Sequence, residues 1–282
     1  MILFFFVFSS LSLVYITAGS LFSLTQAQDW MPSVRLIATD MDGTLTRSGK
    51  FHSQLLRRLE QLRRCRIPVM IVTGRSAGWV SALVEYLPVA GAIAENGGYL
   101  FTPETPAGQP LIELDPDLRL NLEQTFTALQ SKYPTLEPSA DNPFRVTDWT
   151  FDRKDLSMQA LNAIAADCDA QGWGFTYSSI QCHIKPRQQS KQLGLLGVLG
   201  RYFHGAITPD QVLTIGDSPN DAELLDAAVF PHSVGVANIE PYLNTMPSQP
   251  QWISNQAELA GFLEITSALV NQEENGENPY SD

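Results

Sequence analysis

Two aspartates follow an apolar run near the start of the chain and could bind a cation or attack an electrophile. The run covers residues 34–38, and Asp40 and Asp42 come directly after it. Short apolar runs rich in β-branched residues are typical of parallel strands that helices bury on both faces. Ligands of open α/β sheets bind beyond the carboxyl ends of the strands. The pair therefore predicts a site there, although an Asp-Gly sequence by itself also fits a solvated hairpin turn.

Polar side chains also follow two further apolar runs, at residues 67–72 and 212–215. A helix is predicted to start near Ser76, and its free N–H groups beside Thr73 would suit a phosphate. After the second run, Pro219 favours a helix through Leu225. The side chains at the two ends are Thr73, Gly74 and Arg75 in the first case and Asp217, Asn220 and Asp221 in the second.

One lysine stands where a helix disfavours it. Lys191 lies near the start of a helix that the leucines from Leu193 to Leu199 predict, and the macrodipole opposes a positive charge there. Such a position marks Lys191 as a candidate site residue. On the same helix, Gly194, Gly197 and Gly200 share a face and predict close packing on the sheet.

Together these segments resemble the four ordered motifs of the haloacid dehalogenase superfamily of phosphatases. The motifs are residues 40–44, residues 73–75, Lys191 and residues 216–221, and the resemblance spans residues 34–265. It implies a Rossmann-like α/β core, with a parallel sheet and helices on both faces. The large insert after the third strand resembles the C2-type cap of the Cof-like and sucrose-phosphate phosphatase groups, which closes over the site and reads the substrate.

The resemblance also implies roles for individual residues. Asp40 would be the nucleophile that forms an aspartyl-phosphate, and Asp42 would be the acid and base that also lends its backbone carbonyl to Mg²⁺. Thr73 and Lys191 would complete the catalytic set by holding the phosphoryl oxygens. The implied metal-binding residues are Asp40, Asp42, Asp217 and Asp221. The implied substrate-binding residues are Thr44, Gly74, Arg75, Asn96 and Asn220.

The predicted activity is Mg²⁺-dependent hydrolysis of a small phosphate monoester, of the sugar-phosphate type. Phosphoryl transfer needs a nucleophile, a proton donor, a metal and fixed positive charge, and the motifs supply candidates for each. Two alternatives stay open, namely phosphomannomutase-like phosphoryl transfer and a non-catalytic binding protein on the same fold. The sequence leaves the oligomeric state open.

Composition excludes several other classes of protein. The 282 residues carry a formal net charge of −12, which argues against a nucleic-acid partner because a phosphate-binding surface needs clustered Lys and Arg. The three cysteines, Cys65, Cys168 and Cys182, are scattered and indicate neither a disulfide framework nor a zinc site. The four histidines are equally scattered and receive no role.

The order of predicted elements divides the chain into a core and an insert. The core is assigned to residues 31–98 and 188–270, and an inserted α+β domain to residues 99–187. Within the insert, a proline-rich stretch from Pro103 to Pro116 predicts irregular structure, and residues 144–147 predict a strand. Two helices and an antiparallel pair, at residues 174–177 and 180–184, complete it.

The two ends of the chain carry separate predictions. Residues 1–24 are apolar and lack the charged n-region of a signal peptide, so Met31 is the favoured start, with a cytoplasmic protein that has no membrane contact. A membrane anchor ranks second and a cleaved signal third. Residues 271–282 are polar and acidic and are predicted to be disordered.

Overall fold

The strands whose ends carry the predicted site residues all belong to one nine-stranded sheet. The computed structural model describes residues 20–21 and 29–270. Most of the N-terminal extension and the whole acidic tail therefore lie outside the described residues, as do the predictions made for them. Within the described part, no helix combines the length and the apolar character that crossing a bilayer requires.

The strands of the large sheet run in the order β1-β12-β11-β10-β2-β3-β4-β5-β6, and all neighbours from β1 to β4 pair in parallel. Its four central strands are fully buried, because helices cover both faces. The strands are β1 (Ser20–Leu21), β2 (Leu36–Thr39), β3 (Val69–Val72), β4 (Gly91–Ala94), β5 (Tyr99–Thr102), β6 (Thr105–Pro110), β10 (Val212–Gly216), β11 (His232–Gly235) and β12 (Trp252–Ile253).

Four helices pack on this sheet and enclose two apolar clusters. Three of them, α1 (Ser53–Arg64), α2 (Ala77–Tyr86) and α6 (Glu258–Val270), share one cluster with the sheet. The fourth, α5 (Lys191–Arg201), packs its Leu195 and Val198 on the opposite face. The predicted α/β fold, a mostly parallel sheet with helices on both faces, is confirmed.

Strands β5 and β6 extend the large sheet in antiparallel fashion. The predicted irregular structure after Pro103 is therefore wrong for residues 105–110, since proline is tolerated in an edge strand that has no neighbour to accept its missing N–H. The sequence-based boundary after residue 98 falls inside this sheet. The division into core and insert stays a prediction, and on this topology the insert would begin after Pro110.

The remaining middle segment forms a three-stranded antiparallel sheet with two helices on one face. Its strands run in the order β7 (Trp149–Asp152), β9 (Gln181–Lys185), β8 (Gly174–Tyr177). Helices α3 (Leu118–Lys132) and α4 (Met158–Ala170) enclose an apolar cluster against it. In β9, Cys182 and Ile184 join that cluster, so the alternating residues face the large sheet.

Three local predictions are wrong. Residues 144–147 form no strand, because Phe144 ends a 3₁₀ turn, Asn142–Phe144, and the N–H groups of Val146 and Thr147 donate to the carboxylate of Glu95. The helix expected after Pro219 is a single 3₁₀ turn, Pro219–Asp221. On α5, only Gly194 makes a close approach, to Gly97, while the space around Gly197 and Gly200 is open.

Candidate active site

The predicted site residues come together because the strands before them are neighbours. Asp40 follows β2, Thr73 follows β3 and Asp217 follows β10, and these three strands are adjacent and parallel. Parallel neighbours end at the same edge of a sheet. The backbone N–H of Asp40 also donates to the carbonyl of Ile215 at 2.8 Å, which ties the end of β2 to the end of β10. Asp40, Thr73 and Asp217 are all buried.

Lys191 lies at the centre of this group. Its Nζ donates to the carboxylates of Asp40 at 2.5 Å and of Asp221 at 2.6 Å. Burial by itself would lower the pKa of Lys191, but the charges of Asp221 and Asp40 outweigh it and raise that pKa. The two carboxylates therefore compensate the unfavourable place of a lysine at the start of α5.

The carboxylates outnumber the cation that balances them. Burial raises the pKa of Asp40 to about 7, against the attraction of Lys191 and with the repulsion of Asp221. Burial, followed by the charges of Asp40 and Asp221, likewise raises the pKa of Asp217 well above its usual value. The negative charge of these carboxylates exceeds the positive charge of Lys191, and a divalent cation would supply the missing positive charge.

The donor set fits a hard cation. Oxygen atoms of Asp40, Asp217 and Asp221 lie within 4.8 Å of one another, and Mg²⁺ prefers oxygen ligands of this kind. Asp221 is the least free of the three. One of its oxygens accepts from Lys191, and the other accepts from the N–H groups of Asp217 and Ser218 at 3.0 and 3.1 Å.

Asp217 is held from two sides. Its Oδ1 accepts a hydrogen bond from the Thr44 hydroxyl at 3.2 Å, and its Oδ2 accepts one from the Asn238 side-chain amide at 2.9 Å. Gly43 sits against the same carboxylate with a φ of +81°, and a Cβ there would collide with it. Thr44, which the sequence analysis assigned to substrate binding, thus contacts Asp217. Asn238 is a positioning residue that the sequence analysis missed. It follows β11 closely, so the same strand-end signal would have found it.

Asp42 is bound by a guanidinium. Nε and Nη2 of Arg75 each donate to one carboxylate oxygen of Asp42 at 2.7 Å, a bidentate pair. The hydrogen bonds to Asp42, opposed by partial burial, raise the pKa of Arg75. The ring of Trp79 packs against this guanidinium, and its centroid lies 4.8 Å from Cζ of Arg75. The pair uses one lone pair on each oxygen and leaves Asp42 able to accept further hydrogen bonds.

A cavity with a volume of about 20 Å³ separates the strand ends from the insert, which is room for about one water molecule. Gly74 and Asn220 line it, as predicted substrate contacts could. Asn96 lies instead on a second cavity of about 250 Å³ behind Lys191. The side-chain oxygen of Asn96 accepts a hydrogen bond from the side-chain amide of Asn220 at 3.2 Å. The side-chain nitrogen of Asn96 is buried with no hydrogen-bond partner among the described residues.

Four charged or titratable residues join the insert to the large sheet, and the sequence analysis assigned a role to none of them. Three of them form a buried, hydrogen-bonded network above Gly74. Its hydrogen bonds run from Nη1 of Arg145 to Asp148 at 2.8 Å and from Nδ1 of His183 to Asp148 at 2.9 Å. These three are Arg145, Asp148 and His183. The fourth residue, Glu95, accepts hydrogen bonds from Ala77, Val146 and Thr147 instead, and all four are buried.

Comparison with known proteins agrees with this architecture. Residues 37–118 match the family model of the haloacid dehalogenase-like hydrolases. A phosphoglycolate phosphatase of Natronomonas pharaonis is 32% identical over 68% of this chain and 80% of its own length. A crystal structure of a protein from Thermoplasma acidophilum aligns with a TM-score of 0.68 at 20% identity, over 84% of this chain and 98% of its own. The sucrose-phosphatase of Synechocystis, solved with sucrose and phosphate, aligns with a TM-score of 0.59 at 19% identity, over 83% and 97%.

Carboxylates and a lysine thus meet at the strand ends of an α/β sheet. The chain belongs to the haloacid dehalogenase-like hydrolases, as the sequence relative and the family match show. It is a phosphatase, a phosphoric monoester hydrolase, and the alternative of a non-catalytic binding protein is wrong. The roles assigned to single residues stay predictions.

Proposed function

We propose that this chain hydrolyses a small phosphate monoester through an aspartyl-phosphate on Asp40, with Mg²⁺ as its cofactor. One observation carries the proposal. The buried carboxylate of Asp40 lies at a strand end, is held by Lys191, and sits within 4.8 Å of further carboxylate oxygens. This arrangement supports Asp40 as the nucleophile, because fixed positive charge and candidate cation ligands lie beside its carboxylate.

The reaction follows from these positions in two displacements. A carboxylate oxygen of Asp40 attacks phosphorus, the bond from phosphorus to the leaving oxygen breaks, and Asp42 donates a proton to that oxygen. Water then attacks the phosphorus of the aspartyl-phosphate and gives a proton to Asp42. The bond between phosphorus and Asp40 breaks, which releases inorganic phosphate and restores the carboxylate.

The surrounding residues hold the phosphoryl group and the cation. Lys191 and the hydroxyl of Thr73 are the proposed contacts of the phosphoryl oxygens. Asp40, Asp217 and the backbone carbonyl of Asp42 are the proposed ligands of Mg²⁺, with Asp221 orienting Lys191. When bound, the cation would neutralise charge that develops on the transferred group.

The proposed substrate is a small phosphate monoester. Two classes have support from outside the chain, since a sequence relative is named phosphoglycolate phosphatase and a structural relative is a sucrose-phosphatase. The sequence resemblance favours a sugar phosphate. Phosphomannomutase-like transfer remains an alternative, in which the phosphoryl group returns to the sugar rather than passing to water.

An assay of purified protein against a panel of phosphate esters, with and without Mg²⁺, tests the proposal. We expect Mg²⁺-dependent release of phosphate, and Asp40→Asn should reduce it to background with every ester, because no aspartyl-phosphate can form. Ser178→Ala, which changes a cavity residue outside the proposed chemistry, is the matched control and should keep turnover of an aryl phosphate. Full activity of Asp40→Asn would refute the proposal, and isomerisation of a sugar phosphate without phosphate release would favour the mutase.

A further inference from the structure

His183 presents an unpaired nitrogen to the cavity at the strand ends. It lies on the face of β9 that turns away from the α3 and α4 cluster, and it is 1% exposed. A Cβ on Gly74 would lie 3.2 Å from its Nε2, so this atom rests against the backbone that lines the cavity. Among the described residues, Nε2 has no hydrogen-bond partner, whereas Nδ1 is bound to Asp148. The free nitrogen is thus available to a ligand.

Asp148 decides which ring nitrogen carries the proton. Burial alone would raise the pKa of Asp148, but the charge of Arg145, together with the hydrogen bond and charge of His183, outweighs it and lowers that pKa. An ionised carboxylate only accepts hydrogen bonds, so Nδ1 must donate. Burial lowers the pKa of His183 itself, against the attraction of Asp148. The ring is therefore neutral near pH 7, and its Nε2 holds a lone pair that accepts a hydrogen bond.

The cation nearest to His183 is not free to bind a substrate. All three nitrogen atoms of the Arg145 guanidinium are engaged, and the side chain is fully buried. Its partners are the carboxylates of Asp141 and Asp148, the side-chain oxygen of Gln181 and the carbonyl of Gly74. Among the described residues that line the cavity, Arg75 is the one cation, and Asp42 neutralises it.

We infer that His183 is a specificity-determining residue that accepts a hydrogen bond from a hydroxyl of the leaving group, and that the site selects hydroxylated esters over carboxylated ones. The inference rests on the proposed function and narrows its substrate class. A substrate carboxylate in this cavity would face the lone pair of Nε2 and would have no unpaired cation. Burying such a charge without a partner costs more than placing a hydroxyl there.

Two esters of similar size separate the alternatives. In 2-hydroxyethyl phosphate a hydroxymethyl group replaces the carboxylate of 2-phosphoglycolate, and an aryl phosphate reports on the chemistry of the strand ends alone. We expect the wild-type protein with Mg²⁺ to show a kcat/KM at least about tenfold higher for 2-hydroxyethyl phosphate than for 2-phosphoglycolate. This ratio needs no variant, so it tests the inference even if substitutions in the network unfold the protein.

The informative variant is His183→Asn, whose shorter amide still donates to Asp148 but no longer reaches the cavity. It should lower kcat/KM for 2-hydroxyethyl phosphate by about tenfold to 100-fold, as expected when a buried hydroxyl loses its acceptor, and should change the aryl phosphate little. His183→Gln, which restores an oxygen near the position of Nε2, should recover part of the loss. Cys182→Ala is the matched control, since it removes a buried group from the same strand on the opposite face, and it should leave the ratio unchanged.

The outcomes also separate this inference from the proposed function. A wild-type preference for 2-phosphoglycolate, an unchanged ratio in His183→Asn, or the same change of ratio in Cys182→Ala would each overturn the specificity role while the protein still turned over the aryl phosphate. Absence of Mg²⁺-dependent turnover with every ester, the aryl phosphate included, would overturn the proposed function itself.

Discussion

At the scale of single residues, Asp40 and Asp42 have the same side chain but different surroundings. Asp40 is buried and held by Lys191, whereas Asp42 is partly exposed and paired with the guanidinium of Arg75. These surroundings support the proposed roles, with the buried Asp40 as nucleophile and Asp42, at the rim of the cavity, as the group that exchanges protons. Geometry therefore separates two residues that composition treats alike.

Asp42→Asn tests this separation. The variant loses proton transfer to the leaving oxygen, so the rate with an alkyl phosphate should fall by about 10²–10⁴-fold. The loss should shrink with an aryl phosphate, because a phenolate leaves without a proton. Steady-state rates at saturating Mg²⁺, with the Mg²⁺ affinity measured separately, give the comparison. Equal losses on the two esters would contradict the role of Asp42, and Asp40→Asn is the reference that should lose both.

At the scale of elements, the position of Lys191 depends on the contact of one helix with one turn. Gly194 of α5 faces the turn after β4, where a Cβ would lie 2.6 Å from the Cα of Gly97. Gly97 itself has a φ of +101°, a backbone conformation that residues with a side chain rarely adopt. The two glycines let the start of α5 approach the strand ends closely enough for Lys191 to reach Asp40.

Gly194→Ala should push the start of α5 away from this turn and move the ammonium group of Lys191. We expect kcat with an aryl phosphate to fall by about tenfold or more, since a small misplacement of a catalytic group is costly. Gly197→Ala is the matched control on the same helix, where the space is open. It should keep its activity and unfold at the same or a slightly higher temperature, because alanine favours a helix. Equal activity of the two variants would refute the role of this contact.

At the scale of the whole molecule, the carboxylates at the strand ends link cation binding to stability. Burial and repulsion by neighbouring carboxylates raise the pKa of Asp217 and of Asp40. A cation that neutralises these carboxylates therefore stabilises the folded chain. A ligand that binds only the folded state raises the free energy of unfolding by about 2.7 kcal/mol at 100 times its Kd.

Thermal unfolding with and without Mg²⁺ measures this link without any substrate. For a chain of this size we expect a rise in Tm of about 5–10 °C at 100 times the Kd. Asp217→Asn removes a proposed ligand and should abolish most of the rise. Asp155→Asn changes an exposed carboxylate of the insert and should leave the rise intact. A rise that persists in Asp217→Asn would place the cation elsewhere.

Local patterns in the sequence were enough to predict the strand ends and the polar residues that meet there. Each of these predictions depends on an apolar run followed directly by polar residues, as at Asp40, Thr73 and Asp217. Parallel strands of one sheet end at a common edge, so such residues meet even though they are far apart in the chain. Lys191 was predicted for a related reason, since a lysine at a helix start needs a nearby negative charge.

Only the tertiary structure decided which groups face the strand ends from the insert. His183, Asp148 and Arg145 meet through contacts between separate elements, and their signals in the sequence are those of ordinary scattered polar residues. The same holds for β6, whose prolines are tolerated because this strand lies at the edge of the sheet. A residue's type and spacing determine what its own strand or helix does, but its partners depend on the packing of elements distant in the chain, and here that packing gives His183 a free nitrogen at the cavity.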